Sequence, residues 1–176
     1  EKVNQLIQTS NQLGPKQYSD TANLEGTVEV TFLDGETLSL IYHWTLTNPE
    51  ENAGYPATYL YSLVIDLKTG DQKYFNDYAS VHQVFYQLKY GLYQIVTDDS
   101  ASDATARVTV QSLLRNGTIS TDKLATAVYP LSEVFPPSLF GYVTQERIGL
   151  IIPASNHIGG SICVGFDGKD VTRTAW

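Results

Sequence analysis

Two residues of one loop have the types that acyl-transfer chemistry uses. In Pro153-Ala154-Ser155-Asn156-His157-Ile158-Gly159-Gly160 a serine hydroxyl stands two residues from an imidazole, in a Gly-rich run between strand-like segments. A nucleophile beside a base becomes catalytic when a third group orients the base. No G-x-S-x-G elbow presents the serine at a sharp turn. The lone cysteine, Cys163, lies in the alternating run Ser161-Ile162-Cys163-Val164, away from any helix N-terminus that would lower its pKa. It reads as a buried structural thiol. His43 falls on the polar face of a strand and His82 in the first turn of a helix, so both read as surface or satisfied positions. No catalytic residue is assigned, and the chain is expected not to be an enzyme.

Metal and cofactor chemistry find equally little support. One cysteine excludes a Cys-based zinc site, no H-E-x-x-H motif occurs, and the three histidines are dispersed. Asp98, Asp99 and Asp103 form an acidic break of the charge that calcium prefers, without the D-x-[DN]-x-[DN]-G spacing of an EF-hand loop; helix caps are expected there instead. Asn116-Gly117-Thr118 matches a glycosylation acceptor but doubles as a helix stop. Neither a metal nor a cofactor is expected. What remains is contact chemistry. Glu50 and Glu51 with nearby Tyr55 have the character of an acidic, aromatic protein contact, and Ser155, Asn156 and His157 offer polar groups on a second loop. These six are the expected binding residues.

Composition narrows the partner. The chain of 176 residues is 42% hydrophobic and 17% charged, enough to bury a core, and its formal net charge is -8. Phosphate backbones and anionic lipid surfaces need Lys and Arg, so neither nucleic acid nor a membrane surface is expected as a partner. A basic protein is favoured, chiefly in encounter rate and salt dependence. The chain lacks methionine and starts Glu1-Lys2-Val3, which reads as a piece of a longer precursor whose anchor, if any, lies in a segment outside this sequence.

The elements that must position these residues follow from periodicity. Residues 1 to 13 phase Val3, Leu6, Ile7 and Leu13 as a weak helix, and 16 to 25 read as a connector; 1–23 is set apart from an α+β domain over 24–176. Thr27 to Phe32 reads as a strand, Asp34-Gly35 as a tight turn with Gly at positive φ, and Thr37 to Leu46 as the return strand. On that strand Leu38, Leu40, Tyr42, Trp44 and Leu46 share one face, with Ile41 the exception on the other. After a Pro/Gly loop, Tyr59 to Leu67 is a strand, Lys68-Thr69-Gly70-Asp71 a turn, and 72 to 75 a short strand. Ser80 and Gln83 have capping-box spacing ahead of a helix running to about 97, with Tyr86, Tyr90 and Tyr93 at the core edge. A second helix is expected over 104–115, and a third after Ile119-Ser120. Strands are expected over 139–144, 148–153 and 161–166, with Asp167-Gly168 turning a last hairpin. The fold class is α+β: an antiparallel sheet built from N- and C-terminal hairpins, with two to three central helices packed against it.

The order of these pieces resembles a known family. LEGTVEVTFLDGETLSLIYHWTLT, a Gly/Pro loop, YLYSLVIDLKTGDQKYFNDYAS entering a helix, and LFGYVTQERIGLIIPASNHIGGSICVGF at the end together resemble the extracytoplasmic domain of RsiV-type anti-sigma factors. A similar region lies outside the catalytic domain of some peptidoglycan deacetylases. The likeness covers roughly residues 24 to 166, while the loop Asn52-Ala53-Gly54-Tyr55-Pro56 lacks the histidine common there. In the anti-sigma members the domain binds lysozyme, which exposes the protein to proteolysis and releases a sigma factor. The resemblance thus implies an extracytoplasmic, membrane-tethered binding or sensing domain with lysozyme or another wall-associated protein as partner. The alternative is an accessory domain of a cell-wall enzyme, and a small hydrolase using Ser155 or His157 ranks behind both.

Overall fold

The structure is a computed structural model, and it describes residues 1–13, 23–47, 57–96, 103–127, 139–154 and 160–171. The fold is α+β. Its strands divide between two antiparallel sheets, where the sequence suggested one.

The first sheet is a meander of β1 (Asn23–Leu33), β2 (Thr37–Thr47) and β3 (Ala57–Asp66). Pairing starts at Asn23, opposite Thr47, so β1 takes up residues assigned above to a connector. The turn after β1 forms without a left-handed glycine: Gly35 has no positive φ. Asp34 Oδ1 instead accepts the amides of Glu36 (2.8 Å) and Thr37 (2.7 Å), a local substitute for a backbone turn. Left-handed backbone appears one turn later, at Gly70 (φ 73), where Asp66 Oδ1 accepts the amides of Lys68 and Thr69. The two turns are tied by the Lys68–Glu36 ion pair.

Leu40, Tyr42 and Trp44 alternate as the periodicity requires and are buried, and Val3, Leu6 and Ile7 of α1 (Lys2–Leu13) pack against their cluster. The helix is moored by Lys2 Nζ to Asp71 Oδ1 (2.6 Å), at the β3 side of the sheet. Ile41, out of phase in the sequence, is buried with Tyr142 and Cys163 of the second sheet. Both faces of β2 are therefore used.

The second sheet has the order β4 (Gln94–Ile95), β7 (Ser161–Asp167), β6 (Arg147–Pro153), β5 (Phe140–Val143). Its residues alternate between two apolar surroundings. Ile148, Leu150, Ile152, Ile162, Val164 and Phe166 join the helices in one core, while Phe140, Tyr142, Ile151 and Cys163 join the first sheet. A strand buried on both faces reads as a continuous apolar run, as β6 and β7 do.

The helices are α2 (Phe75–Tyr78), α3 (Val81–Tyr90), α4 (Asp103–Arg115), α5 (Thr121–Ala125) and α6 (Gly168–Val171). The segment 72–75 is no strand: it makes one bridge, Gln72 to Ile65, and enters α2, whose start is held by Asp77 Oδ2 accepting the Tyr74 amide (2.7 Å). Helix α3 stops at Tyr90, well before residue 97. Gly91 takes a left-handed φ of 72, and its amide closes on the Gln87 and Leu88 carbonyls. That end releases Gln94 and Ile95 to pair with β7. Tyr93 is buried, whereas Tyr86 and Tyr90 lie exposed against each other. The Ser80 capping box does not form; the Ser80 amide donates to the Val171 carbonyl (2.7 Å), so α6 replaces the expected last hairpin. Helices α4 and α5 match their expectations, with Gly117 (φ 75) after α4 and Ser120 Oγ accepting the Lys123 amide (3.3 Å) at the start of α5. No helix among the described residues is long and apolar enough to cross a membrane.

Candidate functional site

Two buried serines set how the sheets meet. β5 is the edge strand of the second sheet, so its outward backbone groups need partners on burial. Ser62 Oγ of β3 donates to the Gly141 carbonyl (2.6 Å), and Ser39 Oγ of β2 accepts the Val143 amide (3.0 Å). Thr31 in turn donates to Ser39 Oγ (2.9 Å). Beyond this contact line the sheets enclose a cleft of about 420 Å³. Glu29, Thr31, Ile41, His43, Thr58 and Leu60 line it from the first sheet; Tyr142, Thr144, Arg147, Ser161, Cys163 and Gly165 line it from the second.

Glycines give the cleft its shape. Gly149 carries the Tyr142 ring, since a Cβ there would sit 2.0 Å from the ring. Its register partner Gly165 lets Val96 and the Arg147 stem approach, at 3.1 and 3.3 Å from the position a Cβ would take. A side chain at 149 would displace the ring, whereas one at 165 would require Val96 and Arg147 to shift by a few tenths of an ångström.

The titratable groups of the cleft are few. His43 Nε2 lies 3.5 Å from Glu29 Oε2, a diagonal pair on the β1–β2 hairpin, and both remain partly in solvent. Burial holds the Cys163 thiol protonated, pushing its pKa up to about 12. A thiol so placed is no nucleophile at neutral pH. Burial likewise drives the Tyr142 phenol upward, and the Arg147 charge opposes it to a lesser degree. The arrangement suits recognition: the Glu29–His43 pair, the Arg147 side chain and apolar walls line one cleft. Among the described residues no cluster of three His, Cys, Asp or Glu could hold a metal.

A second feature is the outer edge of β1. Among the described residues no strand pairs with it. Val28 and Val30 are 48% and 57% exposed, and Leu33 is 64% exposed. They stay open because α1 is moored on the β3 side. Glu25 and Glu29 alternate with the valines along the same strand, and the register shifts between Val30 and Phe32.

The loop residues singled out by the sequence, Glu50, Glu51, Tyr55, Ser155, Asn156 and His157, lie outside the described residues, as do Asp98 and Asp99. Asp103 is the first residue of α4, and His82 is exposed on α3. The cleft was not foreseen. Its Glu29–His43 pair had a local signal, because a two-strand hairpin with Asp34 at its turn places both on one face. Arg147 and Tyr142 had none, since their neighbours come from the far end of the chain. No protein-family model matches this chain, and no curated protein matches it either.

Proposed function

We propose that this chain is a non-catalytic extracytoplasmic module that binds and senses a protein partner, and that the partner is basic and lysozyme-like. The observation that carries this reading is the open edge of β1. An unpaired edge strand offers a row of free backbone donors and acceptors to an incoming segment. Exposed Val28 and Val30 give that segment apolar contact, and Glu25 and Glu29 give it charge. The same glutamates and the bulge discourage pairing with a second copy, because like charges would face each other across the new ladder. They favour a basic partner, in line with the net charge of -8. The resemblance to RsiV-type anti-sigma factors supports the extracytoplasmic setting and the choice of lysozyme as probe.

The test is a titration of the chain with lysozyme at low and at moderate salt. A saturable complex at micromolar protein is expected, weakening as salt rises. Replacing Glu25 and Glu29 together by Lys lowers affinity by about tenfold or more, chiefly through the lost attraction. Absence of any saturable complex with the parent chain ends this reading.

A further inference from the structure

Arg147 and Arg107 are both half-buried, and among the described residues only the Arg107 guanidinium is hydrogen-bonded. Arg107 Nη1 donates to the Gly91 carbonyl and Nη2 to the Tyr93 carbonyl, each at 3.2 Å, and its guanidinium stacks on the Tyr93 ring at 5.0 Å. It is a structural clamp that fixes the chain after α3. The Arg147 guanidinium makes no hydrogen bond among the described residues, and none of their carboxylates lies within 4.0 Å of it. Asp167 stands opposite it in register, yet Asp167 Oδ1 accepts the Lys169 amide (3.0 Å). Glu29, the carboxylate that lines the cleft, lies with His43. A half-buried guanidinium left to water by the described residues is free to exchange that water for a ligand's acceptor.

We infer that the inter-sheet cleft is a binding site for a small molecule with an apolar body and one carboxylate, which Arg147 receives. The volume of about 420 Å³ falls within the roughly 300–1,000 Å³ usual for such sites. Its walls are of two kinds. Ile41, Leu60 and Val96 supply apolar surface for the body of the ligand. Arg147 supplies a planar fork that matches a carboxylate through two parallel hydrogen bonds. The Tyr142 hydroxyl, which has no hydrogen-bond partner among the described residues, is a second donor in the same cleft. Glu29 at the mouth sets the charge limit: it repels a dianion such as a phosphate monoester more than a monocarboxylate. Glu29 of β1 belongs to both surfaces, but Arg147 and the apolar walls that carry this inference do not involve the protein partner.

The experiment is calorimetric titration of the full chain with 4-phenylbutyrate, with its primary amide, and with acetate. The acid is expected to saturate one site, the amide to bind about tenfold more weakly for want of a charge-assisted pair, and acetate not to saturate. In Arg147→Gln the acid and the amide bind alike. Should Arg147→Gln lose its fold by circular dichroism, Leu60→Trp, which fills the opposite wall, is to weaken acid and amide together. Equal binding of acid and amide to the parent chain overturns the inference. So does failure of the acid to bind at millimolar concentration, a preference retained in Arg147→Gln, or unchanged affinities in Leu60→Trp. Glu25→Lys, aimed at the protein-docking edge, leaves acid binding unchanged, so the two sites fail or stand separately.

Discussion

The sheet of β1, β2 and β3 and the sheet of β4, β7, β6 and β5 are both antiparallel, but they hold together by different means. The second is enclosed by helices on one side and by the first sheet on the other, and Leu150, Ile151, Ile152 and Val164 have no exposed surface. Among the described residues the first is enclosed over β2 and β3 only. Its turns are secured by polar devices in solvent, namely the Asp34 and Asp66 side chains and the Lys68–Glu36 and Lys2–Asp71 pairs. Burial of apolar area stabilises strongly and without direction, whereas exposed ion pairs contribute little and fix geometry. The difference suggests a division of labour: a packed sheet that serves as scaffold and a partly open sheet whose edge is available for binding.

The contrast is most sharply broken in the scaffold. Leu150→Ala, in the middle of β6, is expected to cost about 2–5 kcal/mol in chemical denaturation, through lost burial and a cavity. Val28→Thr, on the exposed edge of β1, should stay within about 0.5 kcal/mol. Similar losses at both positions would erase the distinction.

Next in size is the contact line between the sheets. Ser62→Ala leaves the buried Gly141 carbonyl without its donor, for which about 1–3 kcal/mol is expected. The loss should be accompanied by earlier unfolding of both sheets together, as monitored by tryptophan fluorescence and far-ultraviolet circular dichroism. A neutral effect would mean that the serine hydroxyl merely fills space.

The smallest effect concerns the turns. Backbone amides hold the Asp34 and Asp66 carboxyls below the ordinary carboxylate value of 3.8, and Lys2 does the same for Asp71. A carboxyl whose pKa is lower in the folded than in the unfolded state stabilises fully above the unfolded value, and that contribution fades as pH falls through the folded one. Stability should therefore decline on acidification from about pH 5 through the carboxylate range. Combining Asp34→Asn with Asp66→Asn, which keeps an acceptor in each turn, should flatten the decline. An unchanged acid slope would show that the titrating groups lie elsewhere.

Legibility in the sequence followed the range of the interactions. The β1–β2 hairpin, α4 with its Gly117 stop, and the Ser120 cap of α5 are local and could be read from spacing. Periodicity overextends α3 because the apolar phase of Leu92, Ile95 and Val96 continues past Gly91, whereas the left-handed backbone at that glycine ends the helix. The division into two sheets was not legible, since it rests on contacts such as Ser62 to Gly141, 79 residues apart. Arg147 gives no local signal for the same reason: an arginine in a strand does not reveal in sequence which groups will face it. The polar loops that attracted attention, around Glu50 and His157, were picked out by composition, which says nothing about what faces them.

Amide hydrogen exchange, resolved by residue and followed with and without lysozyme, tests the division of labour most directly. The account predicts slow exchange throughout β6 and β7 in both conditions, fast exchange at the outward amides of β1 in the free chain, and protection of those amides on addition of lysozyme. Unchanged exchange along β1 at saturating lysozyme, or new protection confined to another surface, would contradict it.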